Sequence, residues 1–397
     1  MHRTLFALAA AAIVLASAAP VPAQTGDATL RASLQKALND YVASRGKPEH
    51  ISTASLCISL KGAPEYISLA SGTRRYPSAG AKVVPADLFQ IGSNTKAFTS
   101  VAILHLEADG TLSIKDTLGK WLPQYPAWKD VTIQQLLHMV SPIPGYDNVP
   151  KIENMMGKEP NHRYTPKELV AAAYPHDGEP KPVSGWTYSN TNYVLSQMIV
   201  EKAARKPYAD VLRGLFSQVG LKTTYYEQYE YPAAILDRMV SGYFFNHDPD
   251  NAALAPLLGR DMKDMNVSWM QGAGGIVSTP CDVATWSRAL YEGPLLAKQQ
   301  RAELETVVSQ KTGEPMAGAK PGENGFGLGV GQSNRPPLGL FWFYEGMTLG
   351  YRMLYAYVPS NGAVIVVGLN SQPDSKQNHS GKLLEQIYGI LQKARKL

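Results

Sequence analysis

The sequence predicts an α/β fold of the α+β type: an antiparallel sheet flanked by N- and C-terminal helices, with a mostly helical lobe inserted between its halves. Three observations carry this expectation. Behind its leader the chain opens with an amphipathic helix and an alternating strand. It closes with three strand patterns and a second amphipathic helix, and the stretch between is helical, broken by Pro-rich loops. Strands from both ends must share one sheet, with the terminal helices covering it.

The leader, MHRTLFALAAAAIVLASAAPVPAQ, has Arg3 ahead of an apolar run from Leu5 to Ala19, then Val21-Pro22-Ala23 before Gln24. That pattern reads as a secretory signal peptide over 1–23, cut after Ala23, which sends residues 24–397 to the periplasm or the medium. The run is short for a membrane span, and no later stretch is long and apolar enough to cross a bilayer. Next, ATLRASLQKALNDYVASRG sets Leu30, Leu34, Leu38, Tyr41 and Val42 on one helical face, and Gly46 and Pro48 stop the helix. In SLCISLKG, Leu56, Ile58 and Leu60 alternate with Ser55, Cys57 and Ser59, as in a half-buried strand. Lys61-Gly62 turns the chain to a second strand near Tyr66 to Ala70.

An α/β lobe is expected from about 28–90 and 270–397, and a helical lobe from about 95–265. Within the closing part, LGLFWFYEGM, YRMLYAYVP and GAVIVVGLN read as strands, with Asn361-Gly362 as a hairpin turn between the last two. KLLEQIYGILQKA follows as a helix with Leu383, Leu384, Ile387 and Leu391 on one face.

Bulk properties exclude several classes. The 397 residues are 44% hydrophobic and 18% charged, enough to fill two core-bearing lobes. The net charge of +5 is scattered and forms no nucleic-acid stripe. Two cysteines, Cys57 and Cys281, cannot build a zinc site alone, and no His-x-x-x-His spacing occurs, so neither metal nor cofactor is expected. NHDPDN at 246–251 lacks the calcium-loop pattern and reads as a solvated loop. GFGLGVG and GAGGIV match no nucleotide-binding glycine pattern. The expected partner is a small-molecule or peptide substrate; the sequence gives no oligomeric state.

Candidate chemistry begins at FQIGSNTKAFT, where Ser93 and Lys96 stand one helical turn apart. A lysine amine against a serine hydroxyl can activate an otherwise weak nucleophile. Ser-x-x-Lys alone is common on surface helices, so further motifs must decide. GWTYSNTNYVL supplies Tyr188 and Asn190, a proton-transfer hydroxyl and a substrate-binding amide from one loop.

In this order and with these flanks, the chain resembles the serine hydrolases that include class C β-lactamases, D,D-carboxypeptidases and related esterases. DLFQIGSNTKAF is similar to the family's Ser-x-x-Lys block, LLHMVSPIP to a diverged Leu-Leu-x-His-x-Ser-Gly-x-Pro, and QGAGGIVSTPCDVATW to its Gly-Gly-x-x-Ser-Thr helix start. The resemblance implies a β-lactamase/penicillin-binding-protein-like fold over nearly the whole mature chain. It also implies an acyl-enzyme on Ser93, proton shuttling by Lys96 and Tyr188 with the base left open between them, and a substrate amide held by Asn190. A class A arrangement fits worse, since Glu159-Pro160-Asn161 precedes Tyr188.

The family's third motif, Lys-Thr-Gly or His-x-Gly on a strand, has a literal copy at Lys311-Thr312-Gly313. It follows the helical-looking AELETVVSQ, precedes a loop without strand character and comes before FGLGV, so it is out of order. The position in order is YEGMTLGY, with Tyr344-Glu345-Gly346 where a cation or histidine is expected. The resemblance then implies an oxyanion hole from the N–H groups of Ser93 and Met347, with Gly346 allowing close backbone approach. Tyr344 offers a neutral hydrogen bond where a lysine would pair with a substrate carboxylate, or it is only a packed aromatic. Glu345, by strand alternation, points away from the cleft. The readings left open are an esterase or D-amino-acid amidase or peptidase, a β-lactamase or D,D-peptidase proper, and a non-catalytic homologue that binds cell-wall peptides. Cys57 and Cys281 can pair, because Cys281 begins a helix suited to cover the face of the strand that carries Cys57.

Overall fold

The computed structural model describes residues 23–397; residues 1–22, most of the expected signal peptide, lie outside the described residues. Helix α1 (Ala23–Arg45) leads into β1 (Thr53–Ser59), β2 (Ile67–Arg75), β3 (Ala79–Lys82) and β4 (Phe89–Gln90). Helix α2 (Thr95–Ala108) opens a largely helical stretch that contains α3 (Asn190–Ala204) and the short strands β5 (Tyr225–Tyr226) and β6 (Tyr243–Phe245). The chain returns through β7 (Ile276–Ser278) and α4 (Pro280–Tyr291) to β8 (Val307–Ser309), β9 (Pro315–Met316) and β10 (Asn324–Phe326). It ends with β11 (Gly331–Arg335), β12 (Gly339–Met347), β13 (Arg352–Val358), β14 (Ala363–Leu369), β15 (Ser371–Pro373) and helix α5 (Ser380–Lys393).

Ten strands form one antiparallel sheet in the order β3-β2-β1-β14-β13-β12-β11-β10-β8-β9. The N-terminal strand β1 thus sits between β2 and β14, joining the two ends of the chain as the sequence requires. Leu34 and Leu38 of α1 and Leu383 and Ile387 of α5 pack on Leu56, Ile58, Ile365 and Val367, all buried on one face of the sheet. Fully burying each such side chain contributes roughly 1.5–3 kcal/mol. Cys57 belongs to the second core, on the opposite face, with Trp286 and Leu290 of α4. There Cys57 is disulfide-bonded to Cys281, so the pairing left open by the sequence is made.

Three expectations need correction. Strand β1 is buried at every residue rather than at alternate ones, because helices cover both of its faces and both of its edges are paired. The helix in AELETVVSQ ends at Leu304; Val307–Ser309 and Pro315–Met316 form a hairpin, so the segment around Lys311 is strand-flanked. NHDPDN is not wholly a solvated loop, because a 3-10 stretch, Pro249–Leu257, starts inside it and buries Leu254 and Leu257. Among the described residues no helix is long and apolar enough to cross a membrane.

Candidate active site

Ser93 stands in a 3-10 turn, Gly92–Asn94, that runs directly into α2. The glycine before it is required twice. Gly92 has φ +51°, and a Cβ there would lie 2.6 Å from the Met347 carbonyl oxygen, so the end of β12 presses on this turn. Asn94 fastens the turn from the other side, its Nδ2 donating to the carbonyls of Ile91 and Met353, each at 2.8 Å. Gly346 meets the same turn, since a Cβ would fall 1.9 Å from the Ile91 oxygen. The sequence suggested that this glycine lets the strand approach the substrate; its immediate duty is to let β12 touch the serine's own turn.

Lys96 is wholly buried one turn along α2. As an ammonium it donates to Ser93 Oγ at 2.9 Å, Asn190 Oδ1 at 2.7 Å and the Ala273 carbonyl at 2.8 Å. Its Nζ also lies over the rings of Tyr188 and Tyr193, 4.8 and 5.5 Å from their centroids. Burial holds the Lys96 amine below its ordinary pKa, against the opposing pull of Tyr188 and Asp147. Tyr188, in the loop that ends at α3, brings its hydroxyl to 2.5 Å from Ser93 Oγ. The serine oxygen is therefore shared between an amine and a phenol.

Asn190 begins α3 and spans two charged groups. Its oxygen accepts from Lys96, and its Nδ2 donates to Asp147 Oδ2 at 2.6 Å, leaving one amide N–H for a ligand. Burial raises the Asp147 carboxyl above its usual range, while its own backbone N–H, Asn190 and Lys96 pull it down. Sequence reading missed Asp147 and the Ala273 carbonyl. Asp147 sits in PGYDN, which reads as a turn, and a backbone carbonyl leaves no side-chain signal. The Gly-rich QGAGG that positions Ala273 was legible only as a motif.

The register of β12 settles where its amides point. Thr348 N–H bonds the Tyr351 carbonyl, which makes this a hydrogen-bonded pair with β13; by alternation Met347 N–H turns to the opposite edge. Pairing with β11 stops at Phe343, so that edge is open beside Ser93, and Met347 borders the cleft. Ser93 N–H lies in the first turn of its helix, where backbone donors have no intrahelical partner. Tyr344 faces the same cleft with a buried hydroxyl that meets no hydrogen-bond partner, and burial drives its pKa well up, with Tyr188 adding to the rise. Glu345 turns the other way, accepting from Asn378 Nδ2 at 3.0 Å and Ser380 Oγ at 2.6 Å. Lys311 and Thr312 are exposed on the β8–β9 turn, off β12.

The site thus joins a serine hydroxyl, a buried amine and a phenol at the mouth of a cleft of about 320 Å³ in a mixed α/β fold with one large antiparallel sheet. The chain belongs to the Beta-lactamase family, whose model matches residues 38–387. Penicillin-binding protein 4* of Bacillus subtilis (strain 168) is 26% identical over 294 residues, which take in 73% of this chain and 62% of that protein. The chain thus spans less than two thirds of that relative's length. Among solved structures, the D-amino acid amidase from Ochrobactrum anthropi SV3, complexed with D-phenylalanine, is 23% identical with a TM-score of 0.76, over 92% of this chain and all of that one. The D-stereospecific amidohydrolase from Streptomyces sp. is 24% identical with a TM-score of 0.72, over 90% and 98%. The D-alanine carboxypeptidase AmpC from Burkholderia cenocepacia is 19% identical with a TM-score of 0.67, over 91% and 99%. These structures establish the fold.

Proposed function

We propose that the protein is an exported serine hydrolase that cleaves an amide, peptide or ester bond through an acyl-Ser93 intermediate. The observation that carries this reading is Ser93 Oγ held between Lys96 Nζ and Tyr188 Oη. The donor count supports Lys96 as the base. Asn190 Oδ1 and the Ala273 carbonyl are acceptors only, so a neutral Lys96 spends both N–H groups on them and turns its lone pair to Ser93 Oγ. Burial favours that neutral form. Ser93 Oγ then attacks the carbonyl carbon as its proton passes to Lys96, and the oxygen that becomes negative lies between the N–H groups of Ser93 and Met347. Tyr188 delivers a proton to the leaving atom as its bond to the carbonyl carbon breaks. Water then releases the acyl group by the same steps in reverse order of roles.

Tyr344 in place of a cation favours substrates without an essential carboxylate. The D,D-peptidase or β-lactamase reading is supported by the penicillin-binding relatives. A non-catalytic binder has no use for the buried Lys96 amine. Export is supported by the Cys57–Cys281 disulfide, which fits an oxidising compartment. In a test with p-nitrophenyl acetate and a chromogenic cephalosporin, the ester is the better substrate, and Ser93→Ala abolishes turnover of both. Undiminished turnover by a clean Ser93→Ala preparation would refute the mechanism.

A further inference from the structure

One wall of the cleft is built unlike the Ser93 side. Asp147, Glu153 and Asp250 all line it, from two stretches of the chain some hundred positions apart, and among the described residues no lysine, arginine or histidine does. Lys96 is sealed behind Ser93 and is not a wall residue. None of the three carboxylates has a salt-bridge partner among the described residues. They also act on one another: burial raises the Glu153 carboxyl, and the charges of Asp147 and Asp250 raise it further. Concentrated charge of one sign in a walled cleft draws in the opposite sign and repels its own.

A second, independent feature shows what is missing. Tyr344 is only 7% exposed, and its hydroxyl, facing this cleft, has no partner. Asp147 Oδ1 and Gln372 Oε1, in the same cleft, are also shielded and unpartnered. The Asp147 and Gln372 oxygens can only accept, and the Tyr344 hydroxyl can accept as well as donate. A buried acceptor left unmade is costly, and an ammonium supplies several donors with positive charge and accepts nothing. Met156, Leu254, Trp269 and Leu349 add apolar surface to the lining.

We propose that the cleft selects ligands carrying an ammonium beside an apolar group, with Asp147, Glu153 and Asp250 supplying the charge. Resting on the hydrolase reading, this makes the preferred substrate an amide or ester whose acyl part bears a free amine and an aliphatic or aromatic side chain. Carboxylate-bearing substrates, penicillins among them, are disfavoured twice, by the acidic wall and by the absence of a cation at Tyr344.

The test is a pair of size-matched ligands, 2-phenylethylammonium and 3-phenylpropanoate, titrated calorimetrically into the full mature protein at low salt. A charge-assisted contact corresponds to about tenfold or more in affinity, so the ammonium binds at least about tenfold tighter than the carboxylate. Added salt narrows the gap by screening. The Glu153→Gln, Asp250→Asn double variant narrows it too. Equal affinities, tighter binding of the carboxylate, or no binding of the ammonium at millimolar concentration overturns the inference. Calorimetry does not need a reactive serine, so this failure is distinct from that of the hydrolase reading, which is decided by whether Ser93 reacts with a fluorophosphonate.

Discussion

Two turns of this chain carry a lysine next to small polar residues in a family motif, and the fold treats them in opposite ways. Lys96 is sealed under Ser93, with three acceptors around its nitrogen and two aromatic rings over it. Lys311 stands in the open on a hairpin turn. The letters Lys-Thr-Gly match a known motif more closely than anything around Tyr344, yet they sit on the wrong strands. What makes a lysine chemical is the removal of water and the fixing of its protons, neither of which a short pattern records.

The largest effects are expected on the buried side. Lys96→Ala and Tyr188→Phe should each lower kcat/KM by about 10²–10⁴-fold, the range for a lost proton-transfer group. The double variant should lose little more than the worse single one, because on the proposed mechanism the two groups act as one unit around Ser93. Additive losses would mean that the two groups act independently and would break this account. If Lys96 acts as the neutral amine, as proposed, and burial lowers its pKa, wild-type activity should rise with pH through that lowered value and reach its plateau below the ordinary lysine range near ~10.4. A pH–rate profile measures this directly.

His138 tests whether burial alone perturbs a base. It is buried beside the Phe326 carbonyl, and burial lowers its pKa from 6.5 to about 4. The folded state therefore binds the proton less well than the unfolded chain. Its contribution to stability is full above pH ~6.5 and is lost as pH falls towards ~4, about 3 kcal/mol in all. His138→Gln should remove that part of the pH dependence of unfolding, as measured by denaturant titration at several pH values. An unchanged slope would mean the ring is charged and accommodated.

Much of this was legible beforehand. The faces of α1 and α5, the three closing strands and the Asn361-Gly362 turn follow from periodicities of 3.6 and 2, which report one-sided burial. Strand β1 broke its own alternation because helices cover both sides, a tertiary fact. Val307 and Val308 continued a helical-looking run into a strand because pairing with β10 outweighed local pattern. In the site, Ser93, Lys96, Tyr188 and Asn190 could be named because the chemistry needs those side chains. Asp147 could not, since its importance comes only from touching Asn190. The acidic wall was hidden for the same reason, its members lying up to 103 positions apart in the chain.

The smallest effect is expected at the exposed turn. Lys311→Ala should leave kcat and KM within about twofold of wild type, as for most surface substitutions. A large fall with normal folding would mean the Lys-Thr-Gly turn reaches the cleft after all.

The central claim is that Ser93 is the nucleophile. The most direct measurement is to treat the mature protein with a fluorophosphonate, digest it and locate the adduct by mass spectrometry. The account predicts one adduct per chain, on Ser93, formed slowly or not at all in Lys96→Ala. An adduct on another residue with Ser93 unmodified, accompanied by loss of hydrolysis, would contradict it.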